Sequence, residues 1–265
     1  MREITPQAEA PDIYIVDNNT SREIREQLPF NVPSFYFPVQ KLNDENAEEY
    51  LDALYGAIIK DHTIFTRKYT FIDEASLPTE YGNFVMFGFQ GRTNGKTVLG
   101  LRTLELPSVP VVRTHSMCYT GDIFHSLKCD CREELENALR YIQSEGGMLI
   151  YALEEGRGIG VLNKITVYKS QHEGYDTVDA QYINGHPNDL RNYDYLKDIL
   201  EHYRVSVGRL ITNNPQKELA FEMAGVSLQD SIKLPSTVND YNRGYLETKM
   251  VKNNHNFIQE LGDLR

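Results

Sequence analysis

Cysteine is scarce in this sequence, which contains only three among its 265 residues. Three thiols cannot pair evenly, and none of them belongs to a disulfide-rich module, so the sequence indicates a reducing compartment. All three, Cys118, Cys129 and Cys131, nevertheless lie within residues 113–131, RTHSMCYTGDIFHSLKCDC. Cysteines that only fill a core would not be expected to crowd into one polar segment that also carries glycine and aspartate.

Long apolar runs and excess positive charge are absent as well. No run of about 18 apolar residues occurs, which predicts that no helix spans a membrane. The first residues, MREITPQAEAPDIY, lack the apolar core of a secretory signal, so we expect a cytoplasmic protein. The net charge of -11 argues against general binding to nucleic acids or anionic membranes. Any phosphate group must therefore be met by a local basic cluster or a metal ion.

What is present is an ordinary globular composition, with 40% hydrophobic and 25% charged residues, and a length that allows one or two domains. Between residues 83 and 235, strand patterns alternate with helix patterns, which predicts an α/β domain. The predicted strands are 84–89, 97–101, 109–114, 148–153 and 206–211. The predicted helices are 132–145, 161–172, 189–203 and one that begins after residue 214, and residues 176–188 are interpreted as a polar loop.

Residues 1–72 are interpreted as a separate N-terminal extension, and residues 73–265 as the domain that carries the chemistry. Five prolines break most of the first part of the extension into extended pieces. A helix is predicted over residues 43–62, because Leu51, Leu54, Ile58 and Ile59 share one face at helical spacing. We expect this helix to dock on the main domain or on a homodimer partner.

Residues 91–97, GRTNGKT, come close to a phosphate-binding P-loop. That pattern needs four residues between its first glycine and its Gly-Lys pair, whereas three residues separate Gly91 from Gly95. A P-loop also leads into a helix, whereas β-branched residues and another predicted strand follow here. The Asn94-Gly95 pair therefore predicts a tight hairpin.

The cysteine segment offers three thiolates with the spacing C-x10-C-x-C, and no fourth cysteine exists to close a structural zinc site. Three protein ligands would leave a tetrahedral position open for water, which zinc activates at neutral pH. Two other interpretations remain open at this stage. The three thiols could be buried core residues, or His115 or His125 could complete a closed site.

Two further segments have features of anion-binding sites. Residues 154–160, EEGRGIG, form a glycine-rich turn between a predicted strand and a predicted helix, where backbone N–H groups can approach a phosphate. A plain tight turn explains this segment equally well. Asn214 and Pro215 predict a helix start, and Thr212 and Lys217 beside it would suit an anion, although a plain capped helix is the alternative.

Six segments taken together resemble GTP cyclohydrolase II, the zinc enzyme that opens guanine in riboflavin synthesis. They are, in order, RTHSMCYTGD, SLKCDC, EEGRGIGVLNK, QHEGYDTVDA, NDLRNY and LITNNPQK. LPTEYGNFVMFGF resembles the first strand of that family and YLETKMVKNNHNF its tail, so the resemblance covers residues 75–257. It implies an α/β fold with a mixed sheet flanked by helices, to which a partly helical N-terminal extension is added.

The resemblance implies a reaction and its cofactors. One zinc ion per chain would be bound by Cys118, Cys129 and Cys131, and magnesium would accompany the nucleotide phosphates. GTP or a related purine nucleotide would be the substrate, and formate and pyrophosphate would be released. A homodimer is the expected assembly.

The resemblance also implies roles for single residues. Asp189 matches the general acid/base of the family, Arg191 its proposed phosphoryl acceptor, and Tyr168 a tyrosine near the reacting base. Because a guanidinium group stays protonated, we interpret Arg191 as a clamp on charge that develops at the α-phosphate, with Asp189 orienting it. Glu155 can accept from both N1 and N2 of guanine, which adenine does not offer. The implied nucleotide contacts are Arg113, Thr114, His115, Ser116, Glu155, Gly156, Arg157, Thr177, Thr212 and Lys217.

Two positions depart from the family pattern. Met117 stands where the family commonly has Glu, and Glu134 stands where it has Gln. These departures leave two alternatives to a GTP cyclohydrolase II. One is a paralogue of the same fold that acts on GTP or another purine nucleotide in a different pathway, such as uracil breakdown or secondary metabolism. The other is a non-catalytic nucleotide-binding protein in which zinc is only a structural staple.

Overall fold

The computed structural model describes residues 14–17, 34–37 and 67–253. The chain divides into two units, one formed by residues 1–68 with 92–94 and the other by residues 69–91 and 95–265. In the first unit, β1 (Tyr14–Asp17) pairs in parallel with β2 (Ser34–Phe37). The helix predicted over residues 43–62 lies outside the described residues.

The second unit is built on a seven-stranded sheet in the order β3-β4-β5-β7-β6-β8-β9. Pairing is antiparallel from β3 to β7 and parallel among β7, β6, β8 and β9, so the sheet is mixed, and the predicted fold class is confirmed. The strands are β3 (Tyr69–Thr79), β4 (Gly82–Gly91), β5 (Thr97–Arg102), β6 (Val111–Ser116), β7 (Gly147–Ala152), β8 (Val207–Ile211) and β9 (Ser227–Ile232).

Six α-helices lie in the described part of this unit. They are α1 (Cys131–Glu145), α2 (Val161–His172), α3 (Thr177–Ile183), α4 (Tyr195–His202), α5 (Pro215–Met223) and α6 (Arg243–Asn253). None of the helices described between residues 67 and 253 has the length and apolar character that crossing a membrane requires.

Apolar side chains cover both faces of the sheet. On one face, Leu196 and Ile199 of α4 pack in a cluster with Ile150 of β7. On the other face, Leu139 and Ile142 of α1 pack in a second cluster, which also contains strand residues of β6 and β7. The central strands β6 and β7 are almost wholly buried, as strands covered on both faces are expected to be. The apolar faces of α1 and α4 thus form the core on the two sides of the sheet.

The segment between β4 and β5 forms a hairpin. The two strands pair antiparallel, with Gln90 opposite Thr97, and no helix follows this turn. The prediction of a hairpin in place of a P-loop is confirmed.

Two predictions along residues 176–203 are wrong. The polar loop predicted over residues 176–188 contains α3, because the Asp176 carboxylate accepts hydrogen bonds from the Val178 and Asp179 backbone N–H groups at 2.8 and 3.0 Å. The predicted helix from Asp189 begins only at Tyr195. The Asp189 carboxylate instead accepts from the backbone N–H of Arg191, which stabilises a turn there.

The topology places three connecting segments beside one another. The parallel strands β6, β7 and β8 end at Ser116, Ala152 and Ile211, and their carboxyl ends lie at the same edge of the sheet. The cysteine segment follows β6, the glycine-rich turn follows β7, and the helix start of α5 follows β8. Ligands of α/β sheets bind at this edge, so distant parts of the sequence meet there.

Candidate active site

A cavity of about 460 Å³ lies at this edge of the sheet. Of the residues predicted to act in catalysis, nucleotide contact or metal binding, all except Thr114 line it. Thr114 is fully buried beneath the residues that line the cavity. Its hydroxyl is 2.8 Å from the Tyr195 hydroxyl, and its carbonyl accepts a hydrogen bond from Lys217 Nζ at 2.8 Å. Thr114 therefore positions a cavity residue without lining the cavity.

The three thiols form one cluster. Cys118 follows β6 and caps a single helical turn at Tyr119–Ile123, while Cys131 begins α1. The three Sγ atoms lie within 4.8 Å of one another, and those of Cys118 and Cys129 are 3.9 Å apart. Among residues 67–253, no histidine belongs to this cluster. The interpretation with His115 or His125 as a fourth ligand is therefore not supported by the described residues.

The surroundings of the thiols fit a metal ion. A Cβ at Gly121 would lie 2.9 Å from the Cys129 Sγ and 3.3 Å from the Cys118 Sγ, so glycine leaves space beside the cluster. The pKa of the Cys118 thiol lies well below its ordinary value, because it accepts hydrogen bonds from the Cys129 and Cys131 thiols. The pKa of the Cys129 thiol is raised to about 11, and the largest cause is its hydrogen bond to Cys118. One thiolate thus forms readily, and a soft cation is the partner that all three suit.

A buried carboxylate holds the loop that carries Cys118. Asp122 accepts from the Cys118 backbone N–H at 3.0 Å and from the Tyr151 hydroxyl at 2.7 Å. The His115 ring stacks on the Tyr151 ring with 5.5 Å between centroids, and its Nε2 lies 3.4 Å from the Asp122 carboxylate. His115 thus contributes to this support and to the cavity wall.

Glu155 lies at the end of the glycine-rich turn and is almost completely buried. Its carboxylate accepts from the Tyr119 and Gly156 backbone N–H groups and from Lys164 Nζ. A carboxylate offers about four acceptor positions, so these donors leave about one for a ligand. A bidentate contact with N1 and N2 of guanine therefore requires one of the three donors to move.

Tyr168 stands beside the thiol cluster. Its hydroxyl is 3.2 Å from Thr120 Oγ1, and the ammonium groups of Lys128 and Lys164 lie 5.2 and 5.4 Å from the centroid of its ring. Burial raises the pKa of Tyr168, so its hydroxyl stays protonated at neutral pH.

The turn after Glu155 has unusual backbone geometry. Arg157 has a φ of 58°, in the left-handed region that few non-glycine residues adopt, and such conformations concentrate at functional sites. Its Nη1 donates to Asn188 Oδ1 at 2.5 Å, and its carbonyl accepts from the Leu190 backbone N–H at 2.9 Å. A Cβ at Gly158 would lie 2.9 Å from Leu190 Cβ. The glycine-rich turn thus positions the segment that carries Asp189 and Arg191.

Asp189 and Arg191 form a two-pronged ion pair. Arg191 Nη2 donates to Asp189 Oδ2 at 2.6 Å and its Nε donates to Oδ1 at 2.9 Å, while its Nη1 reaches Ser116 Oγ at 3.3 Å. Burial disfavours the charged form of both groups, but their mutual hydrogen bonds and attraction outweigh this effect. The pKa of Arg191 is therefore raised and that of Asp189 is lowered. The guanidinium therefore stays protonated, which agrees with a clamp better than with a nucleophile.

Cations gather near this pair. Lys217 lies in the first turn of α5, whose predicted cap is confirmed because Asn214 Oδ1 accepts from the Gln216 backbone N–H at 2.9 Å. Burial, together with the charges of Arg113 and Arg191, lowers the pKa of Lys217 well below its ordinary value. An anion at this position would relieve that destabilisation. The wall is thus a local basic cluster in an acidic chain.

A buried ion network from α6 was missed by the sequence analysis. Lys249 Nζ lies 3.0 Å from both Asp130 oxygens and 3.3 Å from Glu134 Oε1. Glu134 Oε2 in turn accepts from Arg113 Nη2 at 2.7 Å. Lys249 belongs to the tail segment that carried the resemblance, and Lys164 to the segment after β7, but neither had been given a role.

Comparisons with known proteins agree with this geometry. The profile of the family described as GTP cyclohydrolase II matches residues 70–233. The riboflavin biosynthesis protein RibBA of Staphylococcus epidermidis is 41% identical over 182 residues, which are 69% of this chain and 46% of that protein. A GTP cyclohydrolase-2 of Helicobacter acinonychis is 43% identical over 185 residues, which are 69% of this chain and 95% of that protein.

The matched region thus spans about half the length of the RibBA proteins. A solved structure, the two-domain 3,4-dihydroxy-2-butanone 4-phosphate synthase RibBX of A. baumannii, aligns at a TM-score of 0.35 and 16% identity, covering 74% of this chain and 50% of that chain. The profile match over more than half of the sequence and the identity to these relatives show that this chain belongs to the GTP cyclohydrolase II family.

Proposed function

We propose that this chain hydrolyses GTP, opens the imidazole ring of guanine and releases formate and pyrophosphate. The product is then a 2,5-diamino-6-(5-phosphoribosylamino)pyrimidinone, formed in the first step of riboflavin synthesis. One observation carries the proposal: the thiol cluster and the Asp189–Arg191 pair line one cavity of about 460 Å³. Small-molecule sites commonly have volumes of about 300–1,000 Å³, so a nucleotide can reach both groups.

Zinc is the metal that we propose for the three thiols, because soft donors and an open tetrahedral position suit it. When bound, it supplies water activated for nucleophilic attack at neutral pH. Cys118, Cys129 and Cys131 hold the ion, and Tyr168 orients the base beside it through a protonated hydroxyl.

The phosphates of the nucleotide are proposed to lie at the other end of the cavity. Arg191 is held by Asp189 so that its remaining N–H groups face the cavity wall at Ser116. It stabilises negative charge that develops at the α-phosphate, and Lys217 and Arg157 add positive charge nearby. Pre-organised donors of this kind need no rearrangement when the charge appears.

Magnesium is proposed to enter with the phosphates. Within the described residues 67–253, the thiols are the one group of three or more His, Cys, Asp or Glu side chains close enough to share an ion. Magnesium usually keeps several waters and binds through substrate phosphates and one or two carboxylates. A dedicated protein cage is therefore not required.

The proposal is tested by incubating the purified full chain with GTP and magnesium. Formate, pyrophosphate and the diaminopyrimidine are expected in equal amounts, and removal of zinc with a chelator is expected to stop formate release. Nucleotide binding without any product would instead support the non-catalytic alternative.

A second candidate is a paralogue that prefers another purine nucleotide. It is favoured by Glu134, which lines the cavity and pairs with Arg113 and Lys249. A carboxylate accepts hydrogen bonds only, whereas glutamine also donates. Comparing kcat/KM for GTP with that for a panel of purine nucleotides separates this candidate from the first.

We also propose that residues 1–72 dock on the main domain or across a homodimer, through the apolar face of the predicted helix. Burial of each large apolar side chain is worth about 1.5 to 3 kcal/mol. The test requires a cut before β3, because Tyr69 is buried and its backbone N–H donates to Asp198 at 2.8 Å. Deletion of residues 1–66 is expected to lower the melting temperature or the number of chains in the assembly, which analytical ultracentrifugation measures. Equal values for the full and shortened chains would show that the extension is independent.

A further inference from the structure

Lys164 lies on the first turn of α2 and reaches three polar groups at once. Its Nζ is 3.1 Å from Cys118 Sγ, 3.0 Å from Thr120 Oγ1 and 2.8 Å from Glu155 Oε1. Its side chain is only 14% exposed. The ammonium group therefore lies between the thiol cluster and the Glu155 carboxylate, which follows β7.

The geometry leaves no free donor on Lys164. An ammonium group has three N–H bonds, and three acceptors within hydrogen-bond distance occupy them. Lys164 is thus not arranged to donate to a substrate. Its contacts suit a residue that acts on the cavity through Cys118 and Glu155.

Charge gives a reason for a cation at this place. Three thiolates around one divalent ion carry one net negative charge, and the neighbouring Glu155 carboxylate adds another. Unpaired charge in a buried site is strongly unfavourable. A single ammonium that contacts both groups compensates part of it and holds the two segments at a fixed separation.

We propose that Lys164 is a positioning residue of the metal centre, which donates a hydrogen bond to the Cys118 thiolate and fixes that thiolate against Glu155. This inference rests on the proposed function, since it requires that the three thiols hold a metal. A hydrogen bond to a ligand sulfur withdraws electron density from it. Losing such a partner of a metal ligand typically costs about 10- to 100-fold in metal affinity or activity.

The test replaces zinc by cobalt(II), whose thiolate complexes absorb through sulfur-to-metal charge transfer. The N–H···S bond stabilises the sulfur electrons, so Lys164→Met is expected to shift this band to longer wavelength. Cobalt affinity, measured by chelator competition, is expected to fall about 10- to 100-fold. Lys164→Arg, which keeps a donor, is expected to restore part of both changes.

Lys128 provides a matched control. It also lies over the Tyr168 ring, at 5.2 Å, but its ammonium contacts His172 Nε2 at 3.0 Å and, within residues 67–253, forms no hydrogen bond with a thiol. Lys128→Met therefore removes an equal charge from the same wall without removing a hydrogen bond to sulfur. It is expected to leave the cobalt band in place.

The outcomes separate this inference from the proposed function. If the wild-type chain binds no cobalt or zinc, the metal proposal itself is wrong. If it binds cobalt and Lys164→Met has the same band and affinity, or Lys128→Met shifts the band equally, the role of Lys164 is overturned. Should Lys164→Met not fold, Lys164→Leu, which also lacks a donor, is measured in its place beside Lys164→Arg, and an unchanged band in Lys164→Leu overturns the proposal.

Discussion

The two ends of the cavity are assembled in different ways. The thiol end is local: its ligands come from residues 118–131, and a single turn and the start of α1 bring the sulfurs within 4.8 Å. The cationic end is not local. It combines Arg113 from β6, Arg191 from a turn, Lys217 from α5 and Lys249 from α6.

The two ends therefore depend on the fold to different degrees. The thiol end is specified by a short segment, and its support from Asp122 and Lys164 refines a cluster that the loop already forms. The cationic end exists only when the carboxyl ends of the parallel strands meet, because no two of its arginines or lysines are close in sequence. If the two ends are independent in this way, changes at the thiol end should affect metal binding, and changes at the cationic end should affect nucleotide binding.

The largest separation is expected from Cys129→Ser. Loss of one of three sulfur ligands should remove zinc and reduce formate release to background, because no other described group can replace it. Affinity for a non-hydrolysable GTP analogue should stay close to that of zinc-free wild type, since the cationic end is untouched. Elemental analysis and isothermal titration measure the two properties. A zinc-containing, active variant would contradict the assignment of the ligands.

Arg191→Ala tests the opposite end. Removing a pre-organised donor to developing charge commonly costs about 10²- to 10³-fold in kcat, whereas zinc content is expected to stay unchanged. Arg191→Lys should recover little, because a point charge cannot reproduce the two-pronged contact with Asp189. The exposed Arg140 on α1 serves as the control for loss of an arginine. Near wild-type turnover of Arg191→Ala would show that the clamp is not needed.

Lys217 predicts a pH dependence for nucleotide binding. Burial and two neighbouring arginines lower its pKa in the free protein, and bound phosphates should raise it again. Binding then takes up a proton between the two pKa values, so affinity falls as pH rises through that interval, by at most about tenfold per pH unit for one proton. Calorimetry in buffers of different ionisation enthalpy measures the uptake. Lys217→Arg, which keeps the charge but does not titrate, should abolish this slope. A slope that persists in the arginine variant assigns the proton to another group.

The local end was also the end that the sequence made predictable. The clustering of the three cysteines indicated a metal site, with buried core thiols and a closed site as the alternatives. At the cationic end, the Asn214-Pro215 pair indicated the start of α5 but not what Lys217 contacts. In contrast, the contacts of Lys249 with Asp130 and Glu134 join residues more than a hundred positions apart. The periodicity of a sequence does not predict contacts between residues so far apart. The helix over Thr177–Ile183 was missed for a different reason, since its cap at Asp176 was a local signal that the polar composition obscured.

Glu134 gives the sharpest test, because its carboxylate lines the cavity and pairs with both Arg113 and Lys249 near Lys217. Burial raises the pKa of this carboxyl, but the charges of those three residues outweigh it and hold the pKa well below its ordinary value, so Glu134 stays ionised. It offsets positive charge that would otherwise attract phosphates. Glu134→Gln is therefore expected to lower KM for GTP, and hydrogen bonds to charged groups are worth about 1.5–3 kcal/mol, which corresponds to a change of roughly tenfold or more.

The matched control for this change is Glu133→Gln, one residue earlier on α1. Glu133 is bound to Thr237 near the surface and does not contact Arg113, so its replacement removes the same charge outside the cavity. Adding Met117→Glu to Glu134→Gln restores both family residues and is expected to raise kcat/KM for GTP further. Steady-state kinetics on GTP and a panel of purine nucleotides, with melting temperatures for each variant, measure these effects. If wild type already prefers GTP and neither variant improves on it, Glu134 serves only to hold Arg113 and Lys249 in place. The negative charge of Glu134 then does not weaken GTP binding at the cationic end.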